Sequence, residues 1–327
     1  MDVVEAAYEP RADEKSWLLG LIEAARPLVP GTDGCFAVTV KLDASGGVRF
    51  GEFGLPGNDD AFREMVTRIT PELSRTDLQC TYFSPLSFET ISERFGGRRV
   101  FESHWVTAMF RKFGWADFEC LRAFDPDGNV VFIGWGRQSI RRVTRRESAT
   151  WARVAAHVAA GRRLRSALDG VRVSRLEDPA VEAILCPDGN VQHARGPATH
   201  KDVRARLREA VRGAEAARSS LRYEPEKALE AWRGLVAGRW SLIDVFDHDG
   251  RRFLVARPNE SLTSTPLALS PRERQMLAYV ALRYTNRLIA YHLGLAESTV
   301  AETVKRALLK LGVSSRMEIA KMFGGGV

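Results

Sequence analysis

The sequence predicts two α+β units followed by a small all-α domain, and three observations support that prediction. The chain has 327 residues, which is too long for one ordinary domain. Residues 17–260 mix helical spacing with alternating, hairpin-like stretches, as α+β folds do. From residue 270 onward, short helical patterns follow one another with no strand-like stretch between them.

The first unit, residues 1–168, is predicted from its order of elements. The elements are a helix at 17–29, a hairpin turning at Ser45-Gly46-Gly47, a helix at 59–69, two strands within 115–139 that turn at Asp125–Gly128, and a long helix after Thr144. This order resembles GAF-like and PAS-like sensor sandwiches. The resemblance implies an α+β sensor-like region that receives a small-molecule or protein effector.

The second unit, residues 171–258, is predicted to be a smaller α/β domain. The stretch VEAILCPDGNVQHARG is a strand, a turn and a strand, and the stretch WSLIDVFDHDGRRFLVAR is another hairpin. Helical patterns at 199–218 and 225–237 lie between them. A sheet interrupted by helices is PAS-like in outline. The polar, Pro-flanked segment 258–268 is the predicted linker to the third domain.

The positive charge is concentrated at the carboxy-terminal end. The whole chain carries a net +7. Residues 266–327 contain three Lys and six Arg against four Glu, a net +5, which leaves +2 for the first 265 residues. A small basic module after a nearly neutral body indicates a nucleic-acid-binding domain. A solvated basic helical domain with no nucleic-acid partner is the alternative reading.

Several protein classes are excluded by missing patterns. No apolar run approaches the ~18 residues of a membrane span, and the acidic amino terminus has no apolar signal core, so a cytoplasmic protein is expected. The four cysteines form no CxxC pair, and the six histidines show no metal-ligand spacing. No phosphate-binding loop, GxSxG or HExxH motif is present. We therefore expect no enzyme activity, no metal and no cofactor.

The carboxy-terminal residues predict four short helices. Ser270-Pro271-Arg272-Glu273 forms a capping box with proline at the first helical position. A second helix begins at Thr285 and ends at Gly294, and the third spans 297–311 with Val300, Val304, Ala307, Leu308 and Leu311 on its buried stripe. Ser315–Glu318 opens a fourth. Two helices joined by a tight turn predict a helix-turn-helix module within residues 266–327.

Residues 269–320 resemble the DNA-binding domain of LuxR-type regulators, also called NarL/FixJ-type. The matching residues are LSPRE at 269–273, Asn286, Ile289-Ala290, Leu293-Gly294-Leu295, Thr299-Val300, Lys310-Leu311-Gly312-Val313 and Ser315-Arg316. The resemblance implies a tetrahelical fold that binds double-stranded DNA. It also implies a third helix in the major groove and a fourth helix that often mediates dimerisation.

This chain departs from the family pattern at several positions. The family usually has Gly at the place of Arg283, and a Ser that caps the recognition helix is replaced by Ala296. The usual TVKxH becomes Thr299-Val300-Ala301-Glu302-Thr303, so a lysine that typically faces DNA is Ala301, and Glu302 places a negative charge on the groove face. A carboxylate can still accept a hydrogen bond from cytosine N4.

We expect DNA binding to survive these departures, because four cations flank the single acidic residue. The predicted DNA contacts are Thr299, Ala301, Glu302, Lys305, Arg306, Asn286, Arg287 and Arg283, and the predicted homodimer contacts are Ile319, Met322 and Phe323.

Alternative roles remain open for several of these features. The chain could be a protein-interaction adaptor whose degenerate helix-turn-helix no longer reads DNA, a reading motivated by Ala296, Ala301, Glu302 and the exposed-looking Tyr291. The arginine run at 137–146 is either a site for an acidic partner or a solvated surface. Five aromatic residues in the first unit either line a ligand cavity or simply fill the core: Phe36, Tyr82, Trp105, Trp115 and Trp135.

Overall fold

The computed structural model confirms the predicted mixture of helix and sheet. It describes residues 1–9, 13–42, 48–56, 81–82, 86–125, 129–168, 181–232, 240–246, 251–258, 271–281, 283–311, 315–317 and 319. The predicted helix at 59–69, the turn at 45–47, and all but Pro258 of the predicted linker lie outside these residues. The chain divides into two compact units, residues 2–159 and 160–323.

The amino-terminal part contains a five-stranded sheet and several helices. The helices are α1 (Asp2–Tyr8), α2 (Glu14–Ala25), α3 (Ile91–Arg94), α4 (Arg98–Ser103), α5 (Val106–Lys112) and α6 (Arg145–Leu168). The strands are β1 (Thr32–Leu42), β2 (Val48–Gly54), β3 (Phe88–Thr90), β4 (Asp117–Phe124) and β5 (Asn129–Arg137).

The sheet joins the two predicted hairpins through β5. Its order is β2-β1-β5-β4-β3, and each neighbouring pair is antiparallel. Two glycines of β5 leave room for aromatic rings: a Cβ at Gly134 would lie 1.9 Å from Phe118 Cε1, and one at Gly136 would lie 2.2 Å from Trp115 Cε2. The absence of a side chain at these two glycines lets the aromatic rings pack directly against the backbone of β5.

A second sheet, of four strands, lies in the other unit. Its strands are β6 (Ala183–Leu185), β7 (Val191–Ala194), β8 (Trp240–Phe246) and β9 (Arg252–Pro258), in the order β7-β6-β9-β8 and antiparallel throughout. Both predicted hairpins are present. The helices between them are α7 (Lys201–Arg218) and α8 (Pro225–Ala231). The predicted end of α8 at residue 237 lies outside the described residues.

Helices α7 and α8 pack closely against each other. A Cβ at Gly213 of α7 would lie 2.3 Å from the carbonyl oxygen of Ala231, so only glycine allows this approach without a shift. The indole nitrogen of Trp232 donates to the carbonyl of Ala214 at 2.9 Å, and Trp232 is fully buried. The end of α8 is therefore held firmly against α7.

The carboxy-terminal helices follow the predicted order. They are α9 (Pro271–Ala281), α10 (Asn286–Leu293) and α11 (Glu297–Leu311). Of the predicted fourth helix, residues 316, 317 and 319 are described, and all three are helical. Met276, Leu277, Ile289, Leu293, Val300, Val304, Ala307 and Ile319 are all buried. Helical spacing had predicted this for Ile289, Leu293, Val300, Val304 and Ala307.

Candidate nucleic-acid interface

Helix α9 ends in a reversal whose geometry accounts for the departure at Arg283. The N–H of Arg283 donates to the carbonyl of Val280 at 2.9 Å, and the N–H of Tyr284 donates to that of Tyr279 at 3.0 Å. These are the two bonds of a Schellman motif, which requires a left-handed residue at its centre. Arg283 supplies that residue with φ 60°, at the position where the resemblance to LuxR-type domains implies glycine.

Helix α10 has a side-chain cap at its start and glycine at its end. The Thr285 hydroxyl accepts from the N–H of Leu288 at 3.2 Å, which satisfies one of the free donors of the first turn. Gly294 ends the helix in the left-handed region with φ 61°. The N–H of Leu295 then reaches back to the carbonyl of Ala290 at 2.9 Å. The tight turn predicted between the second and third helices is confirmed.

Two predictions about the faces of α10 are wrong. Tyr291 was expected to be exposed, yet its relative exposure is 7%, and its hydroxyl donates to the carbonyl of Leu229 at 2.8 Å. Leu288 was expected to point inward but is only half-buried. Because α10 is covered on more than one side, its hydrophobic spacing alone did not reveal which side chains are buried.

Helix α11 presents a polar face opposite its buried stripe. Val300, Val304 and Ala307 are buried, as predicted for the third helix, whereas Leu308, predicted on the same stripe, is only half-buried. At 3.6 residues per turn, Glu302 and Lys305 lie near the centre of the opposite side, and both are exposed. Four more exposed residues lie on or beside this face: the predicted contacts Thr299, Ala301 and Arg306, and also Ser298. Ser298 had not been predicted, although its spacing of four residues before Glu302 places it on this face.

The start of α11 has a backbone cap only. The N–H of Val300 donates to the carbonyl of Ala296 at 3.2 Å, so Ala296 occupies the N-cap position. An alanine side chain cannot accept a hydrogen bond from the next turn. The replacement of the family's serine therefore leaves a first-turn donor to water or to a ligand.

Arg306 is partly engaged within the domain. Its Nε lies 3.8 Å from Oε1 of Glu273, a buried residue of α9, while 60% of its own side chain is exposed. The predicted capping role of Glu273 involves Ser270, which lies outside the described residues. Arg306 therefore contacts a buried carboxylate while most of its side chain stays exposed on the polar face of α11.

Asn286 is held by an arginine from the fourth-helix region. Arg316 donates to Oδ1 of Asn286 and to the carbonyl of Tyr284. Burial lowers the pKa of the Arg316 guanidinium from its ordinary value. The Asn286 amide oxygen therefore fastens α10 to the fourth helix, a contact that the sequence pattern did not indicate.

Exposed cations surround the two helices of the motif. Arg283 is exposed just before α10, Arg287 is exposed within α10, and Lys305 is exposed on α11. Ile319, one of three predicted dimer contacts, is fully buried, which places it in the interior of the folded chain rather than on a free surface. The other two, Met322 and Phe323, lie outside the described residues.

The carboxy-terminal sequence matches a known family model. Residues 267–323 match the luxR family of bacterial regulatory proteins. This segment is a LuxR-family domain.

Individual relatives match the same part of the chain. Over 97 residues, the chain is 39% identical to the probable transcriptional regulatory protein SgaR of Hyphomicrobium methylovorum, covering 28% of this chain and 39% of that protein. Over 98 residues, it is 36% identical to the nitrate/nitrite response regulator protein NarL of Escherichia coli K12, covering 30% of this chain and 44% of NarL. The chain spans less than half the length of these relatives.

A solved structure resembles the whole chain only loosely. A crystal structure of Escherichia coli SdiA aligns over 95% of this chain and 90% of its own, with 12% identity and a TM-score of 0.30.

Three of the five predicted cavity aromatics of the amino-terminal unit lie near one another: Phe36 and Tyr82 both contact Phe132, and Phe36 and Trp115 both contact Phe118. The other two lie elsewhere. Trp135 contacts Trp151 with ring centroids 5.8 Å apart. Phe36 of β1 pairs with Gly134 of β5. Because successive residues of a strand face opposite sides of the sheet, Phe36 and Trp135 lie on opposite faces. On its own face, Phe36 contacts Phe132. Trp105 is 43% exposed. The five residues therefore do not line one common space.

The predicted arginine run is partly engaged in ion pairs. Arg137 lies 3.0 Å from Glu119, which is fully buried, and Arg141 contacts both Glu119 and Glu147. These contacts tie β4 and β5 to the start of α6. Two of the five arginines at 137–146 thus have a structural role, which weakens the case for an acidic partner at this segment.

Neither a membrane span nor a metal cluster is found within the described ranges. No helix there is long and apolar enough to cross a bilayer. No group of three or more His, Cys, Asp or Glu side chains is arranged to hold a metal ion there.

Proposed function

We propose that the chain is a transcriptional regulator that recognises a specific duplex DNA sequence through α11. The observation that carries the proposal is the division of this helix into a buried stripe and an exposed polar face within a LuxR-family domain. A helix of this kind fits the major groove and reads base edges from its exposed side. The similarity to SgaR and NarL supports a regulatory role.

The exposed residues suggest distinct roles in DNA recognition. Lys305 is exposed near the centre of the α11 face, Arg283 is exposed just before α10, and Arg287 is exposed in its first turn, so all three can neutralise phosphates. Glu302 can accept a hydrogen bond from cytosine N4, a contact worth about 1–3 kcal/mol of base discrimination. Ala301 offers no polar contact. The target sequence should therefore differ from that of relatives with lysine at this position.

In this proposal, the protein acts as a cytoplasmic homodimer whose DNA binding is controlled by an effector. Two recognition helices placed about one helical turn apart would match an inverted or direct repeat in DNA. The amino-terminal α+β region would sense or dock the effector, in the manner of GAF-like or PAS-like domains.

Selection of genomic DNA fragments by the full-length protein tests the proposal. We expect a reproducible site bound with nanomolar affinity, and a linear fall of log affinity with log salt concentration. Replacing Lys305 with alanine should flatten that slope by about 0.9, the value for one lost phosphate contact in B-form DNA. Lys15→Ala makes the same charge change in α2 and should leave the slope unchanged. Absence of any enriched site would refute the proposal.

The adaptor alternative is distinguished by charge reversal at Glu302. If α11 contacts DNA, Glu302→Lys should tighten nonspecific DNA binding, because a cation replaces an anion near phosphates. An adaptor would show no DNA affinity in either form, and the substitution would disturb a protein partner instead. Tyr291 is buried and bonded to Leu229, so it is not available on the surface to bind the partner of an adaptor.

A further inference from the structure

The last five residues of α10 are buried on every side of the helix, whereas Arg287 in its first turn is exposed. Five consecutive residues, Ile289 to Leu293, are each 7% exposed or less. Successive residues of an α-helix are about 100° apart, so five of them point in every direction. A helix buried all round needs a second packing partner.

Tyr291 identifies the side that is covered from outside the helix-turn-helix core. Ile289 and Leu293 point together into that core, and Tyr291 lies about 160–200° away from them around the helix. Its hydroxyl donates to the carbonyl oxygen of Leu229 in α8 at 2.8 Å, a buried hydrogen bond across 62 positions of sequence. The covering element is therefore α8 of the PAS-like unit.

The acceptor is well suited to this contact. Leu229 lies in the last turn of α8, where backbone carbonyls have no partner in the next turn of the helix. The Tyr291 hydroxyl thus acts as a cap for the end of α8. Because Trp232 and the close approach at Gly213 fix α8 on α7, the carbonyl is presented on a rigid support.

A second approach links the same two parts of the chain. Burial lowers the pKa of Arg272 in α9; Tyr279 acts in the opposite direction, and the charge of Arg206 on α7 lowers that pKa further. The Arg272 guanidinium donates to the carbonyl of Leu293 at 3.2 Å, which connects this approach to the end of α10. Both contacts involve α9 and α10, while Thr299, Glu302 and Lys305 on α11 remain exposed.

We infer that the α7–α8 pair is a docking platform for the DNA-binding domain, and that the Tyr291 contact fixes the domain with α11 facing outward. The platform orients the recognition helix without covering it. A change in the α7–α8 pair would then reach α10 directly through this contact, which gives the sensor region a physical route to the DNA-binding domain.

Hydrogen exchange of the full-length protein without DNA tests the docking. Tyr291→Ala should raise amide exchange at 225–232 by about tenfold or more, because the end of α8 loses its cap and its cover. Tyr291→Phe removes only the hydroxyl and should raise it about fivefold. Tyr223→Phe makes the same chemical change at a tyrosine that is 90% exposed and should leave exchange within about twofold of the original.

The results separate docking from folding. Amides of Gly294 and Leu295 report whether the helix-turn-helix itself stays folded. If Tyr291→Ala unfolds it, Tyr291→Phe becomes the deciding variant. Unchanged exchange at 225–232 in a folded Tyr291 variant would overturn the docking platform.

DNA affinity tests the outward orientation. With a random-sequence duplex at low salt, Tyr291→Phe should bind within about twofold of the unsubstituted protein, since the docked domain already exposes α11. A tenfold gain would mean that docking hides the DNA surface, which would overturn the orienting role. Failure of every variant to bind DNA would refute the proposed function and leave the exchange result standing.

Discussion

Helices α9 and α10 end in the same backbone arrangement but on different residues. In both, a left-handed residue at φ 60–61° lets two N–H groups reach back to the last turn. Gly294 adopts this conformation without steric cost, whereas Arg283 carries strain of roughly 1–2 kcal/mol because its Cβ crowds the backbone. Conformation alone therefore explains Gly294 but not Arg283. A phosphate contact would explain why a cation stands at the strained position.

The largest expected effect comes from placing a β-branched residue at the glycine end. Gly294→Val should lower the free energy of local unfolding of the carboxy-terminal domain by about 2 kcal/mol, because valine is strongly disfavoured at positive φ. Amide exchange of α10 and α11 in the full-length protein measures this. Gly294→Asn is the matched control, since asparagine tolerates the left-handed region and should cost clearly less. Equal losses for both variants would show that the backbone conformation is not the cause.

The reverse change at the arginine end should stabilise the domain while weakening DNA binding. Arg283→Gly should raise the free energy of local unfolding by about 1 kcal/mol, because the strain at φ 60° is relieved. The salt dependence of DNA affinity should flatten by about 0.9 if Arg283 contacts a phosphate.

Arg283→Asn separates the two effects at this end. It removes the charge and keeps a residue that tolerates positive φ, so it should flatten the salt dependence of DNA affinity as much as the glycine variant does and gain less stability. A stabilised glycine variant with an unchanged slope would leave Arg283 without a role in DNA binding.

The starts of α10 and α11 also differ, and changing them should alter local stability by a smaller amount. Thr285 caps α10 with its side chain, while Ala296 at the start of α11 cannot. Ala296→Ser should therefore raise local stability by about 0.5–1 kcal/mol, again read from amide exchange. Ala296→Val lacks the hydroxyl oxygen and should bring no gain. A gain from valine equal to that from serine would argue against capping as the cause.

Much of the candidate interface could be predicted from sequence, because its signals are local. Spacing placed Val300 and Val304 inside and Glu302 and Lys305 outside, and the structure agrees. Gly294 was correctly predicted to end α10. Arg283 was recognised as a departure, but the reason needed the backbone angle.

Signals that depend on distant partners could not be found in this way. The Asn286 amide accepts from Arg316 thirty positions later, and the pattern of residues around Asn286 did not indicate that partner. Helical spacing in the second helix predicted an exposed Tyr291, since an amphipathic pattern describes only one packing partner. In the amino-terminal unit, local turns predicted the β1–β2 and β4–β5 hairpins but not their order around β5.

The sequence by itself determined the elements and the family of the carboxy-terminal domain, because turn residues, caps and helical periodicity act over a few neighbouring positions. Only the tertiary structure decided which faces are covered. It paired Arg137 and Arg141 with Glu119, placed Phe36 and Trp135 on opposite faces of one sheet, and brought Tyr291 to the end of α8. Those contacts join residues far apart in the chain, and a local pattern carries no information about which distant surface will exclude water from a given side chain.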